Sequence, residues 1–173
     1  MIFIYIQFIT LGVRIKIPFR IVLFSEEFNQ EIKEITIRPE QAIPKKIYSL
    51  NNLDRLELLA SEPFCNSADE LIDLFQDQKL VFSAKNQFDL LKSQFRNIGY
   101  NFNIKPIILW PSGKEGNKNL EQVKEIVSKR HNPNSIEFAE VFLEVMYKYK
   151  TQKSQQLEDY KSTELNAKIH DLS

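Results

Sequence analysis

Apolar residues crowd the start of the chain in short runs divided by polar punctuation. "IFIYIQFI", Ile2 to Ile9, is β-branched or aromatic at nearly every position, a pattern that predicts a strand buried on both faces. "RIVLFSEE", Arg20 to Glu27, and "EIKEITIR", Glu31 to Arg38, predict two more strands, with "FNQE" as the tight turn between them. Three closely spaced strands of this kind imply an antiparallel meander.

Beyond Arg38 the pattern changes to alternating helices and strands. Pro39 and Pro44 in "RPEQAIPKK" interrupt regular pairing and send the chain over the surface. Helical spacing follows over Leu53–Ala60 and Ser67–Gln76, where Ser67 with Glu70 three residues on reads as a capping box. A strand at Lys79–Phe82, a helix over Asn86–Ile98 and a strand near Ile104–Leu109 come next. "WPSGKEGNKN" reads as a polar loop, and Leu120–Lys129 and Ile136–Lys150 as helices. Residues 1–150 thus form one domain. The polar remainder, 151–173, reads as a frayed helical extension or a disordered tail. No internal repeat is visible.

Composition sets bounds on the chemistry. Of 173 residues 43% are hydrophobic, enough for a single core. Lys and Arg total 23, as do Asp and Glu, so no long-range positive field gathers nucleic acid, and any such binding needs a local groove. Cys65 is the sole cysteine, which excludes a disulfide framework or a zinc knuckle and fits a reducing compartment. The apolar start lacks a basic n-region and a small-residue cleavage site, so it reads as a strand rather than a signal peptide. No run approaches the roughly 18 apolar residues of a membrane span. The expectation is a cytoplasmic protein without membrane association.

The segment containing Pro39, Ile43 and Pro44, "NNL" at 51–53, Pro63 and Phe64, and "LVFSAKNQFDLLKSQFRNIGY" at 80–100 resembles the DnaQ-like 3′–5′ exonucleases. These are the DEDD superfamily that includes the proofreading ε subunit of bacterial DNA polymerase III. The resemblance extends over most of residues 1–150 and is most specific from 38 to 100. It implies an α/β, ribonuclease H-like fold, a mixed central sheet with an N-terminal antiparallel meander, flanked by helices. It also implies four carboxylates holding two divalent cations, which grip the attacking and leaving oxygens of a phosphodiester.

Carried over residue by residue, that carboxylate set is depleted. Tyr5 and Gln7 stand where the family's first strand has Asp and Glu, Ile136 stands where the fourth carboxylate is expected, and His131 keeps the family's histidine. Asp89 is the surviving carboxylate. Glu137 follows Ile136, but one helical step turns a side chain by about 100°. Glu26 and Glu27 offer a rival first pair, yet Arg38 is only eleven positions past Glu27, too few for the strands still required.

Structural roles compete for each of these residues. Asp89 in a first helical turn offsets the helix dipole, His131 borders a turn, and Trp110 either closes a core edge or stacks on a base. The leading reading is a degenerate exonuclease domain without cofactor, acting as a binding or scaffolding module in DNA replication or repair with a polymerase or other protein partner. The second is an unusual exonuclease using Mg²⁺ or Mn²⁺ near Asp89. The third is a module that binds single-stranded nucleic acid ends without cleavage through a basic groove of Lys85, Lys92 and Arg96. In the family-based arrangement Tyr5 and Gln7 lie on a central strand against the start of the Asp89 helix, and Ile136 closes the same pocket.

Overall fold

The structure, a computed structural model, describes residues 1–26 and 32–170, with side chains as far as Gln156. Five strands and six helices follow in the order β1 (Ile2–Leu11), β2 (Ile15–Phe24), β3 (Ile32–Thr36), α1 (Lys45–Leu50), α2 (Arg55–Ala60), α3 (Phe64–Phe75), β4 (Leu80–Phe82), α4 (Lys85–Asn97), β5 (Ile107–Ile108), α5 (Lys114–Ser128) and α6 (Ile136–His170). The "FNQE" turn lies outside the described residues.

The strands form one mixed sheet in the order β3-β2-β1-β4-β5. β1 pairs antiparallel with β2, β2 antiparallel with β3, and β4 parallel with both β1 and β5. The expected meander is present, and β1 is central.

Alternation along β1 divides the core into two layers. Ile2, Ile4 and Ile6 pack with Phe64, Leu71 and Phe75 of α3 and with Leu91 and Phe95 of α4. Phe3 and Tyr5 face the other way, against Leu120 of α5 and Phe138, Phe142 and Met146 of α6. Helices cover both faces, so β1 reads as a continuous apolar run. Farther along, Ile9 packs with Phe19, Tyr48 and Leu58 beneath α1 and α2.

Several boundaries differ from the sequence reading. β2 begins at Ile15, five residues before Arg20, and runs through Pro18. The ladder there shifts register, with Gln7 opposite Arg20 but Phe8 opposite Pro18. Phe19 is the extra residue of this bulge, and its carbonyl accepts from the Ile37 N–H at 2.7 Å. A bulge is where a strand tolerates proline.

α3 starts at Phe64 behind Pro63 rather than at Ser67, so Ser67 and Glu70 lie inside the helix and form no capping box. Burying Phe64 edge-on against Phe95, with ring centroids 5.0 Å apart, draws the first turn into the core. α1 forms within the proline-bounded segment and buries Tyr48. α5 begins within the stretch read as a polar loop. Gly116 permits this, because a Cβ there would stand 2.2 Å from the Pro111 carbonyl oxygen. β5 shrinks to two residues. α6 continues through the expected tail to His170, and its side chains from Thr151 to Gln156 are all exposed. Among the described residues no helix is long and apolar enough to cross a membrane.

The two-layer packing predicts unequal effects for two truncations. Phe142 is fully buried and its ring packs on those of Tyr5, Trp110 and Phe138, so Phe142→Ala is expected to cost about 3–5 kcal/mol in urea unfolding. Leu56 is 74% exposed, and Leu56→Ala should change stability by no more than about 0.5 kcal/mol. Equal losses for the two would contradict this division.

Candidate functional site

A cleft of about 560 Å³ opens where β1 passes from Tyr5 to Phe8. One wall is Glu121, Lys124, Glu125 and Ser128 of α5, and the other is Pro133, Asn134 and Phe138. The α5 residues recur at i, i+3, i+4 and i+7 and so share one helix face. Lys124 pairs with Glu121 at 2.9 Å, and Lys129 with Glu125 at 3.1 Å. Both pairs are solvated and add little to stability.

Gln7, 2% exposed, organises the floor. Its Oε1 accepts from Arg20 Nη1 at 3.0 Å. A guanidinium only donates, and this determines the orientation of the amide. Nε2 then donates to the carbonyls of Pro133 at 3.0 Å and Ser135 at 2.7 Å. The bulge sets this up by ending the regular β1–β2 register at the Gln7–Arg20 pair.

Arg20 extends the network. Nη1 also donates to the Asn134 carbonyl at 3.1 Å, and Nε lies 2.6 Å from Glu34 Oε1, a charge contact off the N–H direction rather than a hydrogen bond. Asn134 Nδ2 reaches the Asn51 carbonyl at 2.8 Å, and the Asn134 N–H donates to Asn132 Oδ1 at 3.0 Å. Ser135 Oγ accepts from the Phe138 N–H at 3.2 Å and caps α6. Residues 132–135 are thereby tied to β1, β2, the end of α1 and α6.

Tyr5 lines the cleft beside Gln7, its ring 4.6 Å from that of Phe142. Burial pushes its phenol far above the usual range, and the Glu121 carboxylate pushes it further. It is a neutral hydroxyl at all ordinary pH. Glu137 is exposed and does not line the cleft. Its own backbone N–H and the Ser135 hydroxyl, followed by the charges of His131 and Arg20, hold its carboxyl below the ordinary glutamate range.

This donor set does not suit a pair of Mg²⁺ or Mn²⁺ ions, which require several oxygen ligands, chiefly carboxylates. At position 7 the oxygen is engaged by Arg20 and the remaining group is an NH₂. Position 5 offers a neutral phenol. Among the described residues no group of three His, Cys, Asp or Glu side chains is placed to hold a metal ion.

The other expected site residues are dispersed. Asp89 is exposed on α4, the helix that packs against the Ile4 and Ile6 face of the sheet, and it does not line the cleft. Gln87 of α4 hydrogen-bonds β1, accepting from the Ile6 N–H at 2.6 Å and donating to the Ile6 carbonyl at 3.1 Å. The two are two positions apart, and two helical steps of about 100° turn Asp89 to the far side of the helix. Ile136 packs into the α5–α6 core layer, and the apolar wall of the cleft is Phe138. His131 is half-buried in the turn after α5. Trp110 is 2% exposed, against Phe142 and Tyr149, so it closes a core edge and offers no face for base stacking. Lys85, Lys92 and Arg96 are exposed with Asp89 along α4, away from the cleft.

Arg20, Asn134 and Gln87 were not visible as site residues in the sequence. The composition of "HNPN" pointed to a turn, but which carbonyls Gln7 would meet depends on elements more than 100 positions away.

Two outcomes follow from this network. Gln7→Met keeps volume but leaves two carbonyls and a guanidinium N–H without their partner, so unfolding should show a loss of about 1–3 kcal/mol; an unchanged midpoint would show the network to be dispensable. Glu137 contributes stability that is present above the ordinary glutamate pKa of about 4.3 and is lost as pH falls through its depressed folded value. Thermal melts of Glu137→Gln should therefore show a shallower acid-side decline than the wild type, and parallel declines would contradict this.

No family model matches the chain, and no curated protein matches it. Among solved structures the chain is similar to one described as 3′-end specific recognition of histone mRNA stem-loop by 3′-exonuclease. The TM-score is 0.60 at 12% identity, with 88% of this chain and 81% of that chain covered. The chain has an exonuclease-like fold, a five-stranded mixed sheet flanked by helices.

Proposed function

We propose that this domain is a ribonuclease H-like, exonuclease-derived module that binds nucleic acid without cleaving it. The observation that carries the reading is the orientation of Gln7. At the strand position where the resemblance to DnaQ-like exonucleases implies a metal-ligating carboxylate, the chain has an amide whose donors are spent on the Pro133 and Ser135 carbonyls and whose oxygen is held by Arg20. That chemistry serves packing of the 132–135 turn. Tyr5, Asp89 and Ile136 support the same reading, since they bring no cluster of oxygen ligands to the cleft.

Binding is proposed on two grounds. The fold is similar to that of a 3′-exonuclease whose structure is described as recognising a histone mRNA stem-loop. The second ground is the row of exposed cations Lys85, Lys92 and Arg96 along α4. Association with a replication or repair polymerase, implied by the resemblance to proofreading domains, is a further proposal for the partner.

Incubating the purified protein with end-labelled single-stranded DNA or RNA and either Mg²⁺ or Mn²⁺ is expected to leave the strand at full length. Shortening that disappears in Glu121→Gln or Glu125→Gln, the carboxylates on the cleft wall, would establish a nuclease and overturn the non-catalytic assignment.

A further inference from the structure

A second, smaller pocket lies on the opposite flank of the bulge. It has a volume of about 210 Å³ and sits between the start of β2, the end of β3 and the second half of α4. Its polar lining includes Lys16, Arg38, Glu40, Ser93, Gln94 and Asn97. Gln94 is only 9% exposed, yet its side chain makes no hydrogen bond to any described residue. A buried amide is normally paired, and this one opens into the pocket. Ser93 Oγ donates to the Leu90 carbonyl at 2.7 Å, so the free donors are the Gln41, Gln94 and Asn97 amides with the Lys16 and Arg38 cations. Lys16 also lies over the Phe8 ring at 4.8 Å.

The contents define the ligand. Pockets for whole drug-sized molecules start near 300 Å³, so this one suits a compact group. Two cations and three amides, those of Gln41, Gln94 and Asn97, against the single carboxylate of Glu40 favour an oxyanion. Lys85, Lys92 and Arg96 are exposed with Asp89 on the other side of the same helix, since Lys92 and Arg96 each stand two helical steps of about 100° from Gln94. In a chain whose charges cancel overall, the pocket gathers two cations about a buried amide.

We infer that the pocket seats one phosphate of a single-stranded nucleic-acid backbone, held by Lys16 and Arg38 and by the amides that line it. The inference rests on the nucleic-acid-binding reading above and names the surface that performs it. That surface is α4 and the β2–β3 edge, away from the cleft of Tyr5 and Gln7.

Fluorescence anisotropy with a labelled single-stranded oligonucleotide tests this, using the full chain over a salt series. Arg38→Ala and Lys16→Ala are each expected to weaken binding several-fold and to reduce the slope of log K against log salt by about 1. Gln94→Met, which keeps the packing volume, should weaken binding without lowering the melting temperature. Wild-type binding that none of the three variants alters would overturn the pocket assignment while leaving the nucleic-acid reading in place. Absence of oligonucleotide binding would overturn both. Inorganic phosphate that raises the melting temperature of wild type but not of Gln94→Met, in a protein that binds no oligonucleotide, would make this a site for free phosphate and also overturn the inference.

Discussion

Burial of β1 on both faces is the constraint from which the rest of the structure follows. Its even-numbered isoleucines need one helical layer and its odd-numbered aromatics another. A strand flanked in this way must also be paired on both edges, because an unpaired buried backbone group costs as much as a lost hydrogen bond. β2 meets that need on one side and β4 on the other. The parallel β4 in turn delivers the start of α4 beside β1, where Gln87 closes on both backbone groups of Ile6.

The same strand becomes polar at Gln7, still inside the core. A buried amide is tolerated only with its partners supplied, and here they come from the neighbouring strand and from a turn far along the chain. The bulge at Phe19 and the Arg20 guanidinium make that geometry available. The position binds polypeptide, and Gln7 forms a hydrogen-bonded lock on residues 132–135.

Charge is partitioned in a way that total composition conceals. Cations and carboxylates are equal in number; the α5 carboxylates Glu121 and Glu125 are each paired with a lysine, whereas the exposed side of α4 carries Lys85, Lys92 and Arg96 against Asp89 alone. Screening over roughly 8 Å at physiological salt lets surfaces so separated act independently. A neutral chain therefore presents a cleft wall of paired charges and a more basic side of α4 at once.

By itself the sequence determined the elements whose signal is local. Strand β1, the meander, β4 and α4 follow from hydrophobic periodicity, because that periodicity reflects which faces are buried. That Tyr5, Gln7 and Ile136 are not carboxylates was equally legible, since it needs only residue identity. What local pattern could not decide were boundaries set by distant packing, such as the start of α3 at a buried Phe64, of α5 against the Pro111 carbonyl, and α1 over Tyr48. Nor could it orient side chains. Asp89 faces solvent because Phe88, Leu91 and Phe95 claim the inner side of α4. Trp110 is core because α6 covers it, and Gln7 is structural because residues 133 and 135 fold back over it. Those outcomes depend on contacts between segments far apart in the chain, and only the tertiary structure brings them together.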